Sequence, residues 1–229
     1  MVNYCKTILC FANSRKTSGR CVAGKEIEDG QIGVWVRPVS GRPTAELSEL
    51  DRRYENGTDP KVLDIVRIPM IEPRPHAFQT ENHLIDDNTY WTLVGKGGWE
   101  DARNALDPGP LWDNTSSSYN GLHDRVSEQA AAPAQGSLRL VEVQDFVVNV
   151  VVEGEEFGNR KRRVRGQFSR NGVHHHLSIT DPVMERRYFA GQNGSFQVGH
   201  AILCISLGEP YQGYAYKLIA GVILPPPEV

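Results

Sequence analysis

Apolar residues fall in short runs separated by Gly, Pro, Asn and Asp, and several runs alternate with polar residues at the period of two expected of half-buried strands. The C-terminal half is the more legible. Leu138 to Val152 (LRLVEVQDFVVNVVV) is rich in Val and Leu and too long for one flat strand, which predicts a bent or bulged one. Lys161 to Phe168 and Val173 to Ile179 flank Ser169-Arg170-Asn171-Gly172. Asn-Gly between alternating segments predicts a hairpin, because a type I′ turn needs positive φ at both central residues. Thr180-Asp181-Pro182 predicts a helix start, with Asp181 as N-cap and Pro182 at the first helical position, and the helix stops near Gly191. Ala201 to Leu207 and Tyr214 to Leu224 close the chain as strands.

A long bent strand, a hairpin, a helix and two strands is the order of the OB-fold, a five-stranded, partly open Greek-key barrel. An SH3-like barrel would not need the helix between its third and fourth strands. The first half repeats the order: strands at Lys6 to Ala12 and Arg20 to Ile27, a turn at Asp29-Gly30, and a strand at Gly33 to Pro38. An amphipathic helix at Thr44 to Tyr54 (TAELSELDRRY) follows, then strands at Val62 to Met70 and Tyr90 to Val94. From Gly95 the pattern changes. A short helix (Trp99 to Leu106), a break at Asp107-Pro108-Gly109-Pro110 and a polar run from Asp113 to Ser118 lead to an Ala/Pro/Gly stretch ending at Gly136, which has linker composition. The expected class is mainly β with short helices: two OB-like five-stranded barrels in tandem. Residues 1–128 form the first barrel with a helical and loop insertion, 129–136 the linker, and 137–229 the second barrel.

Composition narrows the partners. In 229 residues, 25 Lys and Arg against 28 Asp and Glu give a net charge of −3, which excludes a uniformly basic nucleic-acid binder and leaves room for a local basic patch. Gly (22) and Pro (14) favour turns and short strands over long helices. The opening Met1 to Lys6 lacks the basic region and apolar stretch of a signal peptide, and no run is long enough to span a membrane. Cys5, Cys10, Cys21 and Cys204 form no C-x-x-C pair, so they read as reduced thiols of a cytoplasmic protein, with no metal and no cofactor expected.

The run Ile8 to Lys16 (ILCFANSRK) with Gly19 to Gly24 (GRCVAG), then Leu177 to Pro182, Ile205 to Pro210 and Lys217 to Ala220, resembles the dual OB-fold domain family. The resemblance covers most of the chain. It implies two OB-like barrels in one unit and a place in prokaryotic conflict and antiviral defence systems, with other defence-system proteins as possible partners; it carries no assigned biochemical activity.

Two basic segments are the main candidates for ligand contact. Asn13-Ser14-Arg15-Lys16, with Arg20 close behind, gathers cations, hydroxyls and an amide into what reads as an anion-binding loop, though not a Walker A loop. Gly158 to Arg170 holds Arg160, Lys161, Arg162, Arg163, Arg165 and Arg170 and no acid, on the strand that with its successor forms the usual nucleic-acid face of an OB-fold. Phe168 is a candidate stacking platform on that face. His174 and His176 share one side of their strand and, with Ser178 and Thr180, would line it. No cysteine or carboxylate lies near the histidines to complete a zinc set. Asp181 reads first as a helix cap; with Glu209 and Lys217 it is also the candidate catalytic group of an enzyme acting on a nucleotide or modified base between the barrels. The leading expectation is a non-catalytic module for single-stranded nucleic acid or a nucleotide-like ligand, a protein-interaction adaptor being a further alternative.

Overall fold

The structure, a computed structural model, describes residues 4–112, 115–155 and 158–227. Asp113 and Asn114 of the polar run lie outside the described residues. The chain divides into two compact units, Met1–Leu106 with Gln135–Leu138, and Asp107–Ala134 with Arg139–Val229.

The first unit contains β1 (Tyr4–Lys16), β2 (Gly19–Glu28), β3 (Gln31–Val39), α1 (Glu49–Arg52), β4 (Asp64–Pro73), β5 (Asn82–Ile85), β6 (Thr92–Lys96) and α2 (Trp99–Asn104). Its sheet runs β1-β2-β3-β5-β4 and closes through a β1–β4 pairing. The β3–β5 contact is parallel, from Arg37↔Asn82 to Val39↔Leu84, whereas the other pairings are antiparallel. β1 serves two neighbours because it is long: Tyr4 to Leu9 pair with β4, and Ile8 to Lys16 pair with β2 across a bulge near Cys10. The bulge bends the strand so that one segment can close both sides of the ring. Ile8, Cys10, Val22, Val36, Val66, Ile68, Met70, Ile85 and Trp91 fill the interior.

Two expectations for this unit are corrected. The fifth barrel strand is Asn82–Ile85 rather than Tyr90 to Val94; Thr92–Lys96 instead pairs along β4, outside the ring. The helix expected over Thr44 to Tyr54 shrinks to Glu49–Arg52. Leu47 is drawn into a bridge with Arg20, using its N–H and C=O on that residue's backbone, so the helix starts only after Ser48, which caps it with Asp51 in a capping box.

The second unit contains β7 (Thr115–Ser116), β8 (Arg125–Ser127), α3 (Glu128–Ala131), β9 (Leu138–Glu153), β10 (Lys161–Arg170), β11 (Val173–Ile179), α4 (Pro182–Phe189), β12 (Gly194–Leu207) and β13 (Tyr214–Ile223). Its ring, β9-β10-β11-β13-β12 and back to β9, has the first unit's order, again with one parallel contact, β11–β13. The repeated ring order makes the chain two OB-like barrels in tandem. Gly166 sits where the interior has no room for a side chain: a Cβ there would lie 2.3 Å from Ile219 Cδ1 and 2.6 Å from Phe146 Cε2.

Residues 107–134 pack with the second barrel rather than extending the first. The Asp107 carboxylate accepts from the Leu140 N–H at 2.7 Å, Leu111 enters the second core, and the β7–β8 hairpin adds to β13. The stretch with linker composition is likewise ordered: Ser127 caps α3, Ala131 is buried, and Ser137 is held in the first unit between Arg37 (2.7 Å) and Glu81.

Candidate functional site

The opening segment is not a loop. β1 continues to Lys16 and turns at Thr17 and Ser18 into β2, with Arg15 directly opposite Arg20 and Thr17 at φ 48°. Two of its donors serve the fold: Asn13 Nδ2 donates to the Pro60 carbonyl at 2.7 Å, and the buried Ser14 hydroxyl donates to the Cys21 carbonyl. Arg15 stays exposed, while Lys16 and Arg20 are half-buried.

The face of the first barrel that an OB-fold ordinarily offers to ligands is covered. Leu9, Lys25 and Trp35 lie in cross-strand line on the outer side of β1–β3. Lys25 is buried, donates to the Ala105 carbonyl just past α2 at 2.7 Å, and lies 5.3 Å from the Trp35 ring centre. Phe11, Ala102 and Ala105 are buried with it, and a Cβ on Gly97 would meet Leu9. A cation at the C-terminal end of a helix meets partial negative charge, so α2 is held onto the sheet by charge as well as packing.

The matching face of the second barrel is polar and only partly covered, with Gln167 exposed and Asn149, His176 and Ser178 half-buried. Register places Asn149, Arg165 and Ser178 in one line across β9, β10 and β11, and Val147, Gln167 and His176 in the next. Arg163 and Lys161 continue the face opposite Val151 and Glu153, and both are exposed, as is Arg160 just before β10. Asn149 is held by Ser195, whose hydroxyl donates to Oδ1 at 2.6 Å. The exposed His174 pairs its Nδ1 with the Ser169 hydroxyl at 2.9 Å. Burial and the neighbouring Arg165 push the half-buried His176 below the usual imidazole range, which keeps it neutral at physiological pH.

The remaining cations of this strand are consumed by the fold. Arg162 donates to the carbonyls of Phe189 (2.9 Å) and Gly191 and to Asn193, closing the C-terminal end of α4. Arg165 is buried in a two-point ion pair with Glu153. Arg170 donates to the Asp107 and Gly109 carbonyls. Phe168 is only 1% exposed and stacks on His175 with ring centres 5.2 Å apart, so the expected stacking platform belongs to the core. Its strand position explains this: Val164, Gly166 and Phe168 point inward while Arg163, Arg165 and Gln167 point outward.

The catalytic candidates fare similarly. Asp181 is buried and spends both carboxylate oxygens on main-chain N–H groups, Oδ1 on Val183 (2.8 Å) and Met184, Oδ2 on Val222 (3.1 Å). Thr180 donates to the Ile219 carbonyl, Lys217 is buried on β13, and Glu209 is exposed in the turn after β12. Among the described residues no group of three or more His, Cys, Asp or Glu side chains is placed to hold a metal ion, and no helix is long and apolar enough to cross a membrane. Asn149, Gln167 and Ser195 escaped the sequence reading. Strand alternation from Arg163 and Arg165 could have found Gln167, whereas Ser195 reaches Asn149 only through the tertiary fold.

Two barrels of OB-like ring order, one with its strand face sealed and one with it partly exposed, define a tandem OB protein suited to holding a nucleic acid or small ligand. A family model for the dual OB-containing domain matches residues 6–222, and the chain belongs to that family. No curated protein and no solved structure matches it.

Proposed function

We propose that the chain is a binding module that takes single-stranded nucleic acid, or a nucleotide-like ligand, across the outer face of β9, β10 and β11. The observation that carries this reading is the asymmetry between the barrels. α2 and Lys25 seal the first strand face, while the second presents Arg160, Lys161 and Arg163 at one end and Gln167, Asn149, His176 and Ser178 along its length. Exposed cations that track a flexible backbone, beside neutral donors and acceptors for unstacked bases, suit single strands. The resemblance of the opening and closing motifs extends the proposal to a cytoplasmic role in prokaryotic antiviral defence.

The test is fluorescence anisotropy with labelled single-stranded DNA and RNA over a salt series. If Arg160, Lys161 and Arg163 each neutralise one phosphate, log K should fall with log salt at a slope near −2, from about −0.7 per phosphate on single strands. Replacing the three with Gln should flatten that slope and weaken all sequences alike, since phosphate contacts position a ligand without reading bases. Unchanged affinity in the triple variant would overturn the assignment, and salt-dependent capture of an acidic protein instead of an oligonucleotide would favour an adaptor role.

A further inference from the structure

Among the described residues, the outward positions of β9, β10 and β11 carry no Phe, Tyr or Trp. Phe146 and Phe168 point into the core, and Asn149, Gln167, His176 and Ser178 face outward. Such a face can hold phosphates and base edges but offers no flat π-surface to an unstacked base.

An aromatic ring stands at its edge, supplied by the segment 117–124 that joins β7 to β8. Tyr119 is 78% exposed, more than any other large hydrophobic side chain among the described residues, so most of its ring is accessible to a ligand. The segment lies against the outer face. Leu122 forms an antiparallel bridge with His176, its carbonyl accepting from the His176 N–H at 2.9 Å and its N–H donating to the His176 carbonyl at 3.2 Å. The His176 imidazole, outward beside Gln167, faces the main chain of Asn120 and the Asp124 carboxylate. Tyr119 is thus the chain neighbour of a backbone group that this histidine touches.

The turn that bears the ring is tied down. The buried Asp124 carboxylate accepts from the Ser118 N–H at 2.7 Å and from the Ser118 hydroxyl at 2.5 Å. The Ser118 hydroxyl accepts from the Gly121 N–H, and the Ser117 hydroxyl from the His123 N–H. His123 Nδ1 lies 2.8 Å from the His174 carbonyl on β11. A Cβ on Gly121 would lie 1.9 Å from Asp124 Oδ2, so the backbone closes directly over the carboxylate. An exposed ring on an ordered turn binds at low entropic cost, because the backbone is already fixed and a tyrosine has few rotatable bonds.

We propose that Tyr119 is a base-stacking contact: a single strand held by Arg160, Lys161 and Arg163 lays one unstacked base on the Tyr119 ring at the edge of the same face. From Arg163 to Gln167 is four residues of β10, about 13 Å, a length well within the stretch of roughly 4–16 nucleotides that one OB-fold engages. This inference rests on the outer-face reading above and adds a contact of a different kind. Stacking on a neutral ring needs a base, tolerates any base and releases no counterion, so it strengthens binding without steepening the salt dependence.

The test is fluorescence anisotropy with a labelled thymidine strand of about 12 nucleotides, inside that range, and a strand of equal length built from abasic sugars. Tyr119→Ala should weaken the thymidine strand about 5- to 150-fold, the loss expected of one stacked base. It should leave the abasic strand's affinity and the salt slope as in the parent. Tyr119→Phe keeps the ring and should bind as the parent does, and thermal melts of both variants check folding. Equal affinity of parent and Tyr119→Ala for the thymidine strand would overturn the proposal, as would an equal loss on the abasic strand. The variant with Arg160, Lys161 and Arg163 replaced by Gln separates the two readings. A flattened slope there with Tyr119→Ala unimpaired refutes the tyrosine contact alone. Weakened binding in Tyr119→Ala with the triple variant unchanged refutes the outer-face cations alone, and a parent that binds neither strand refutes both.

Discussion

Asp181 offers a quantitative test of how the second barrel is tied together. Asn caps a helix about as well as Asp, so if capping were its only role, Asp181→Asn would cost almost nothing. The structure adds a second duty. One carboxylate oxygen accepts from the α4 amides of Val183 and Met184, while the other accepts from the Val222 N–H of β13 at 3.1 Å. An Asn can keep the cap only by turning its amide NH₂ toward Val222, where two donors then face each other. Leaving a donor unsatisfied at a buried position costs about 1–3 kcal/mol, and that is the expected loss for Asp181→Asn. Asp181→Ala also loses the cap, worth about 0.5–2 kcal/mol, for a total near 1.5–5 kcal/mol. Residue-resolved amide hydrogen exchange in low urea reads this directly, because it reports opening of the second barrel separately from the first. In Asp181→Asn the Val222 amide should lose protection while Val183 and Met184 keep theirs; in Asp181→Ala all three should exchange faster. If Asp181→Asn stays within about 0.5 kcal/mol of the parent, the range of an ordinary surface substitution, with Val222 still protected, the argument from the second oxygen is refuted.

Phe168→Ala should cost about 3–5 kcal/mol in chemical denaturation, as expected of a buried aromatic, while Phe168→Leu should leave oligonucleotide affinity unchanged; a selective loss of affinity in a stable protein would return Phe168 to the binding face. Arg162→Gln should destabilise by about 1–3 kcal/mol through the α4 carbonyls it serves and leave the salt slope of binding intact, whereas Arg163→Gln should do the reverse; denaturation and anisotropy on both variants check the pair. His175 is held near 4 in the folded state against 6.5 for a free imidazole, chiefly by burial. The unfolded chain therefore takes up its proton first on acidification. The stability that neutral His175 contributes is present above pH 6.5 and falls by up to about 3 kcal/mol on going down toward pH 4. Urea midpoints across that interval should show the loss, and His175→Gln should reduce it, the remainder coming from His83 and His176, which burial also holds down.

Much of the fold can be read along the chain because it depends on local signals. The Asn171-Gly172 turn, the Asp181-Pro182 helix start and the long strand from Leu138 each follow from neighbouring residues and appear where they are expected. The four-residue β5 carries too little alternation to announce itself, and it becomes a strand because β3 and β4 supply its hydrogen bonds from distant parts of the chain. Likewise the linker composition of residues near Ala131 is overridden by packing: Ala131 is fully buried and Ser137 is held by Arg37 and Glu81.

The candidate site divides along the same line. By itself the sequence determined that six cations crowd Gly158 to Arg170 on the second strand of an OB-like barrel, since charge and strand order are properties of the chain. Which of them meet solvent was decided only by tertiary structure. Glu153, the end of α4 and the Asp107–Gly109 turn take Arg165, Arg162 and Arg170, leaving Arg160, Lys161 and Arg163 exposed. It was also tertiary structure that laid α2 over the first barrel's strand face and left the second partly exposed, because covering a face requires an element from elsewhere in the chain to reach it.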